Sequence, residues 1–174
     1  MIYLRQLFGI RNISDSQQFN TFAHYFLMMD NKLFLVGPGK EKFKKSPYSR
    51  QIMKGLPMIF REAGSGIRQA MENYMDRNNM KIVCRMELTS NEAVKQAVLA
   101  GLGYSIMPVI GIKNELQEGR LQIIPVNGLP VKSTWRVVWL KGKKHSPVAS
   151  AFLEHLRKEK NAVIKKHFAF EEHY

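Results

Sequence analysis

Apolar positions recur along the chain in two rhythms, and the switches between them mark the elements. Lys32–Val36 (KLFLV) reads as a buried strand stopped by Gly37-Pro38-Gly39, and Pro57–Arg61 (PMIFR) as a second. Between them lies a basic loop, Lys40–Arg50, followed by a short helix over Ser49–Gly55. Gly64-Ser65-Gly66 opens a helix to Arg77 with Ile67, Ala70, Met71, Tyr74 and Met75 on one face. Met80–Leu88 reads as a strand, and Thr89-Ser90-Asn91-Glu92 as a capping box in which a Thr oxygen takes an orphan amide. The helix Asn91–Ala100 turns Ala93, Val94, Ala97 and Val98 inward; Gly101 and Gly103 end it before a strand over Tyr104–Met107 that Pro108 stops. Pro108–Leu116 is expected to be helical, Leu121–Val126 extended, and Asn127–Pro130 a turn. Thr134–Lys141 (TWRVVWLK) is the clearest strand, with Trp135, Val137 and Trp139 on one face. Ser146-Pro147 starts a last helix, reaching about Lys160. Residues 1–30, with Phe19, Phe22, Tyr25 and Phe26 clustered, keep neither period. Alternating strands and helices predict an α/β fold with a largely parallel sheet.

Composition narrows the setting. At 174 residues the chain suits one domain or two small lobes of one domain. A single cysteine, Cys84, excludes an intrachain disulfide and fits a reducing cytoplasm. No stretch approaches the ~20 apolar residues of a membrane span, so no membrane partner is expected. The net charge of +13 comes from two segments, residues 40–54 at +5 and residues 132–166 at +8; the remainder balances. Such surplus attracts polyanions, and it equally describes a solvated surface.

Catalytic motifs are absent: there is no GxSxG, HExxH or paired CxxC. Gly37-Pro38-Gly39-Lys40 has the flavour of a phosphate loop, but Glu41 stands where Ser or Thr should follow the lysine. The five histidines lack metal-ligand spacing, and Cys84 reads as a small core residue. No cofactor and no enzyme activity are expected. Two junctions do suit a ligand. Arg61-Glu62-Ala63-Gly64-Ser65-Gly66-Ile67-Arg68 joins a strand to a helix N-terminus, which favours an anion and adds the Ser65 hydroxyl. Ser65 reads equally as a plain N-cap and Arg68 as a surface group. Thr89-Ser90 repeats the arrangement at the next helix, where capping alone is the competing reading. Both lie where ligands gather in open α/β sheets, beyond the carboxyl ends of strands.

Phe60–Arg68 resembles the RExGSGTR stretch in the effector domain of LysR-type transcriptional regulators. Further similarities follow in the family's order. Asp30–Pro38 resembles its "DeLvLVvp", and Ala100–Pro108 its "aGlGiailP". Glu115-Leu116 with Gly119-Arg120-Leu121 resembles "eL..GrL", and Trp135–Lys141 with Ser146-Pro147 to Phe152-Leu153 resembles the closing strand and helix. The resemblance spans about residues 28–158.

It implies a fold of two α/β subdomains like the type 2 periplasmic binding proteins, with a small effector in the cleft between them. Residues 30–134 would be the complete second subdomain and 135–160 the strand and helix returning to the first. Residues 1–29 would be a partial first subdomain or an irregular segment, with Phe8-Gly9-Ile10 as the residue of its third strand, and 161–174 a tail. Carried over, the effector-binding residues are Ser65, Gly66, Ile67, Thr89, Ser90 and Pro108; Ile67 stands where the family has Thr and removes a hydroxyl. The effector would be a small anionic or phosphorylated metabolite. The intact regulator would be a cytoplasmic homodimer or homotetramer that binds DNA through an N-terminal winged helix-turn-helix missing from this chain. The rival readings are a free-standing solute-binding module of the same fold, and a basic protein that binds nucleic acid non-specifically through Lys40–Lys54 and Lys132–Lys166.

Overall fold

The structure, a computed structural model, describes residues 23–142 and 144–174. The aromatics Phe19 and Phe22 and the Phe8-Gly9-Ile10 strand expectation lie outside the described residues. The chain forms two compact units, Asn31–Ser133 and Met1–Asp30 with Thr134–Tyr174.

The Asn31–Ser133 unit is organised by β1 (Ala23–Pro38), whose second half lies between β4 (Ser105–Pro108) and β5 (Leu121–Ile124), antiparallel to both. The register pairs Leu33 with Pro108 and Val36 with Ser105 on one side, and Leu35 with Ile124 on the other. β2 (Met58–Arg61) and β3 (Cys84–Leu88) pair in parallel. A parallel bridge from Met58 to Tyr104, with Ile59 N donating to Tyr104 O at 2.7 Å, sets β2 beside the start of β4. The expected largely parallel arrangement is seen in β3, β2, β4 and β5, which all run one way, with β1 reversed between β4 and β5. Hydrophobic periodicity records which face is buried, not strand direction.

Two layers of helix cover these strands. α1 (Gly66–Arg77) buries Met71, Tyr74 and Met75 in a cluster with Leu33, Leu35, Met53, Met58, Phe60, Tyr104 and Ile106. α2 (Asn91–Leu99) buries Val94, Ala97 and Val98 and packs on β2, β3 and β4. The Pro108–Leu116 helix resolves into a 3-10 turn, Val109–Ile112, and the short α3 (Lys113–Gln117). The Ser49–Gly55 helix is a 3-10 turn over Arg50–Gly55, started by Ser49. Gly103 lets β2 and β4 close up, since a Cβ there would collide with the Pro57 carbonyl oxygen.

Three further expectations change. The strand over Met80–Leu88 begins only at Cys84, and Cys84 is exposed rather than in the core. Among the described residues the strand it starts has β2 as its one ladder partner, and the Cys84 Sγ lies 3.2 Å from Met86 O. The cap of α2 is Ser90, not Thr89, with Ala93 N donating to Ser90 Oγ at 3.0 Å. That shift puts Glu92 one place too early to reach back, so it turns forward to Gln96 and Lys95.

In the other unit, β6 (Val131–Leu140) pairs with β1, and Thr134 Oγ1 donates to Asp30 Oδ1 at 2.8 Å. Trp139 has His24 and His145 as ring neighbours, and Trp135 is exposed. α4 (Pro147–Phe168) is capped by Ser146 and buries Leu153. It runs past Lys160 because no Gly or Pro interrupts the sequence, and Lys165, Lys166 and His167 suit the negative end of the helix dipole.

Two outcomes test this packing. Gly103→Ala should destabilise the chain by about 2–4 kcal/mol in urea unfolding, because backbone rather than a flexible side chain must yield. Lys95 Nζ lies 2.9 Å from the buried Glu115 Oε1 and 3.0 Å from Glu92 Oε2. Burial pushes the Glu115 carboxyl up, but the Lys95 hydrogen bond, a backbone amide and the Lys95 and Arg120 charges hold it below its ordinary 4.5. The Glu115 bond likewise raises Lys95 above 10.5. The pair therefore stabilises fully between those ordinary values, and its contribution fades as pH falls through the lowered Glu115 value or rises through the raised Lys95 value. Lys95→Met should cost about 2–3 kcal/mol at pH 7, with the gap to wild type closing in acid.

Candidate functional site

Three strand ends meet at one edge of the Asn31–Ser133 unit. β2, β3 and the start of β4 run parallel, so the segments after Arg61, after Leu88 and at Pro108 all leave the same side. This edge carries Ser65, Gly66 and Ile67 after β2, Thr89 and Ser90 after β3, and Pro108 at the end of β4.

The turn after β2 takes its shape from Gly64, whose φ of 88° is a left-handed value that glycine adopts without strain. Ser65 N then donates to Glu62 O at 3.0 Å, and Ser65 becomes the residue before α1. Its hydroxyl makes no capping bond, although the residue is only 6% exposed. The first turn of α1 holds no acidic residue. A helix N-terminus whose amides and adjacent hydroxyl are not consumed locally is suited to an anion. Ile67, half-buried, packs its side chain on the core cluster, so at this position the apolar residue is used for packing.

Both arginines of the stretch are committed to structure. Arg61 forms a two-pronged pair with Glu62, at 2.7 and 2.9 Å, and also binds the Asn91 side chain and the Thr89 carbonyl. It thereby ties the end of β2 to the loop before α2. Arg68 is not a free surface group: it bonds Glu72 at 2.7 Å, Arg61 O at 3.1 Å and the Glu87 carboxylate, with its guanidinium 5.7 Å from the Phe60 ring centre. The hydrogen bonds to Glu72 and Glu87 hold its proton more firmly than usual.

Thr89 and Ser90 divide differently. Ser90 spends its hydroxyl on the α2 cap, while Thr89 is exposed. Pro108 is buried and paired with Leu33. Sequence reasoning missed Asn31, which β1 brings to this same edge. Its only signal was a polar residue directly before an apolar run. Among the described residues no group of three or more His, Cys, Asp or Glu is placed to hold a metal. A separate polar recess of about 510 Å³ lies at the other end of α1, lined by Ser49, Arg50, Gln51, Asn78, Asn127 and others.

The LysR substrate binding domain family matches residues 18–161. The HTH-type transcriptional activator CmpR of Synechocystis sp. is 35% identical over 136 residues, covering 78% of this chain and 45% of that protein. The RuBisCO operon transcriptional regulator of Acidithiobacillus ferrooxidans is 41% identical over 104 residues, covering 60% and 34%. This chain thus spans less than half the length of these curated relatives. The regulatory domain of Synechocystis PCC6803 CcmR, solved in complex with 2-PG, aligns with a TM-score of 0.72 at 32% identity, covering 77% of this chain and 65% of that one. The effector binding domain of QuiR, solved with shikimate, aligns at 0.68 and 19% identity, covering 88% and 69%, a likeness of fold. These neighbours are LysR regulatory domains of the type 2 periplasmic-binding-protein kind, and the mixed α/β architecture seen here agrees.

Because Arg61 joins the two candidate loops, its removal should act on folding. Arg61→Ala should lower stability by about 2–3 kcal/mol, through loss of its charge-assisted bonds to Glu62 and of its bonds to the α2 loop. Amide hydrogen exchange should rise at both Ser65–Arg68 and Thr89–Ala93, and an unchanged second loop would show that the arginine acts only locally.

Proposed function

This chain belongs to the LysR substrate-binding domain family, and from that premise we propose that it is the ligand-sensing part of a LysR-type transcriptional regulator. Its ligand is a small anionic metabolite bound at the carboxyl edge of β2, β3 and β4. The amides of Gly66 and Ile67 and the Ser65 hydroxyl receive the anionic group, Thr89 supplies a second hydroxyl, and Ser90 and Pro108 shape the rim. The observation that carries this reading is Ser65, a residue only 6% exposed at a helix N-terminus, whose hydroxyl is not spent on capping that helix. That the CcmR domain was solved in complex with 2-PG supports a small anionic metabolite as the ligand class.

Residues 30–134 act as the second effector-binding subdomain, 135–160 as the return strand and helix of the first, 1–29 as a partial first subdomain and 161–174 as a tail. In the whole regulator, a homodimer or homotetramer in the cytoplasm, the ligand favours one arrangement of the subunits and so biases the DNA-binding heads. DNA recognition belongs to a helix-turn-helix domain outside this chain. The reading includes no catalytic step. Among the described residues no helix is long and apolar enough to cross a membrane.

Thermal unfolding of the full chain with 3-phosphoglycerate and with 2-phosphoglycolate at fixed ionic strength tests the proposal. A ligand of the native state raises the midpoint in a saturable way. Ser65→Ala should weaken binding about tenfold, the effect of one lost hydrogen bond to a charged group. An unchanged affinity in Ser65→Ala would overturn the assignment of the site.

A further inference from the structure

Strand β1 carries one polar side chain into the interior of the Asn31–Ser133 unit. Asn31 is 2% exposed, and its Oδ1 is, among the described residues, the buried side-chain oxygen or nitrogen left without a hydrogen-bond partner. Buried acceptors are almost always satisfied, because stripping water from one without replacing the bond costs stability.

The ladder fixes the level of Asn31 along the sheet. Leu33 pairs with Pro108 on the antiparallel β4, so Asn31, two residues earlier, is level with the backbone just past Pro108. That is the carboxyl edge shared with Ser65 and Thr89. Side chains alternate along a strand, which puts Asn31 on the face of Leu33 and Leu35. Those two belong to the cluster beneath α1, with Met71 and Tyr74. The N-terminus of α1 opens over the same face and edge. β4 separates β1 from β2, so Asn31 and the α1 N-terminus are two strand spacings apart, about 10 Å.

We infer that Asn31 is a specificity-determining residue: its Oδ1 accepts a hydrogen bond from a hydroxyl of the ligand whose anionic group sits at the α1 N-terminus. The inference rests on the anion reading above and adds to it a required chemistry. Phosphate and carboxylate groups bring acceptors, which suit the amides of α1 but give nothing to an amide oxygen. The Asn31 oxygen asks for a donor at a set distance from the charge. A small phosphorylated hydroxy acid meets both demands and spans the gap; its deoxy counterpart leaves the acceptor unpaired, the situation in which a site rejects an analogue most strongly.

The test is calorimetric titration of the full chain with two probes that differ by one hydroxyl, 3-phosphoglycerate and 3-phosphooxypropanoate. Wild type should bind the hydroxylated acid about tenfold more tightly or better. Asn31→Leu should bring the two affinities together by weakening the hydroxylated acid alone. Without ligand it should unfold at no lower temperature, since an apolar residue of similar shape replaces an unpaired one. Asn31→Ala provides the same affinity comparison if leucine is not accommodated. Equal binding of the two acids by wild type overturns the inference and leaves the anion reading standing. A preference that persists in both variants also overturns it. Binding of neither acid overturns the anion reading and this inference with it.

Discussion

Strand β1 is buried along its whole second half, from Leu33 to Pro38, and the Asn31–Ser133 unit is built around that fact. A strand buried on both faces cannot be satisfied by one helix, so the sequence must provide cover on two sides. Leu33 and Leu35 go to the cluster beneath α1, while Phe34 and Val36 point to the opposite face. Neither ladder edge of this segment is open, since β4 takes one side and β5 the other. The fit is close. Gly37 leaves room for the Tyr104 ring, which a Cβ would approach to 2.6 Å, and the Tyr104 hydroxyl in turn holds the Glu41 carboxylate. Phe43 packs edge-on against both Tyr104 and Tyr48, and Tyr48 N donates to Pro125 O at 2.8 Å. The lysines of the 40–45 loop are thus presented from a tethered backbone, not from a loose one.

The stretch after β2 separates two tasks that its sequence runs together. Charge does the joining: Arg61 links β2 to the α2 loop, and Arg68 links α1 to β2 and β3. Backbone geometry does the presenting: Gly64 turns the chain and Ser65 is set at the helix start with its hydroxyl uncommitted. From sequence alone Arg68 reads as a surface group, and Arg61 as part of the same strand-to-helix junction. In the folded chain each already faces carboxylates, so the proposed ligand meets amide dipoles and hydroxyls.

Much of this was legible in the sequence, and what was not has identifiable causes. The helices over Gly66–Arg77 and Asn91–Leu99 and the strands over Met58–Arg61 and Ser105–Pro108 follow their hydrophobic periods, because each is packed on the core by one stripe or buried outright. The first half of β1 was missed because the stretch 24–30 mixes exposed and half-exposed positions without alternation. The reversal of β1 was not read because periodicity does not encode strand direction. Cys84 looked like core because it stands in the apolar-looking run MKIVCRMEL, yet Val83 beside it is 81% exposed. The Ser65 edge was readable from glycine spacing at a strand–helix junction. Asn31 was hidden by position, since a polar residue before KLFLV looks like the end of a strand rather than a point within one. Which of Thr89 and Ser90 caps α2 depends on a one-residue difference in where the helix starts, finer than pattern can resolve.

The internal pairing of Arg61 and Arg68 has a consequence for how such a sensor would work in a cell. Binding governed by unpaired guanidinium groups rises and falls with ionic strength, because mobile ions screen the attraction. Here the nearest cations are already neutralised by Glu62, Glu72 and Glu87, and short-range hydrogen bonds are what remain to hold a ligand. Occupancy would then depend on salt less steeply than in a site built on free guanidinium groups, and would follow the concentration of the metabolite more closely.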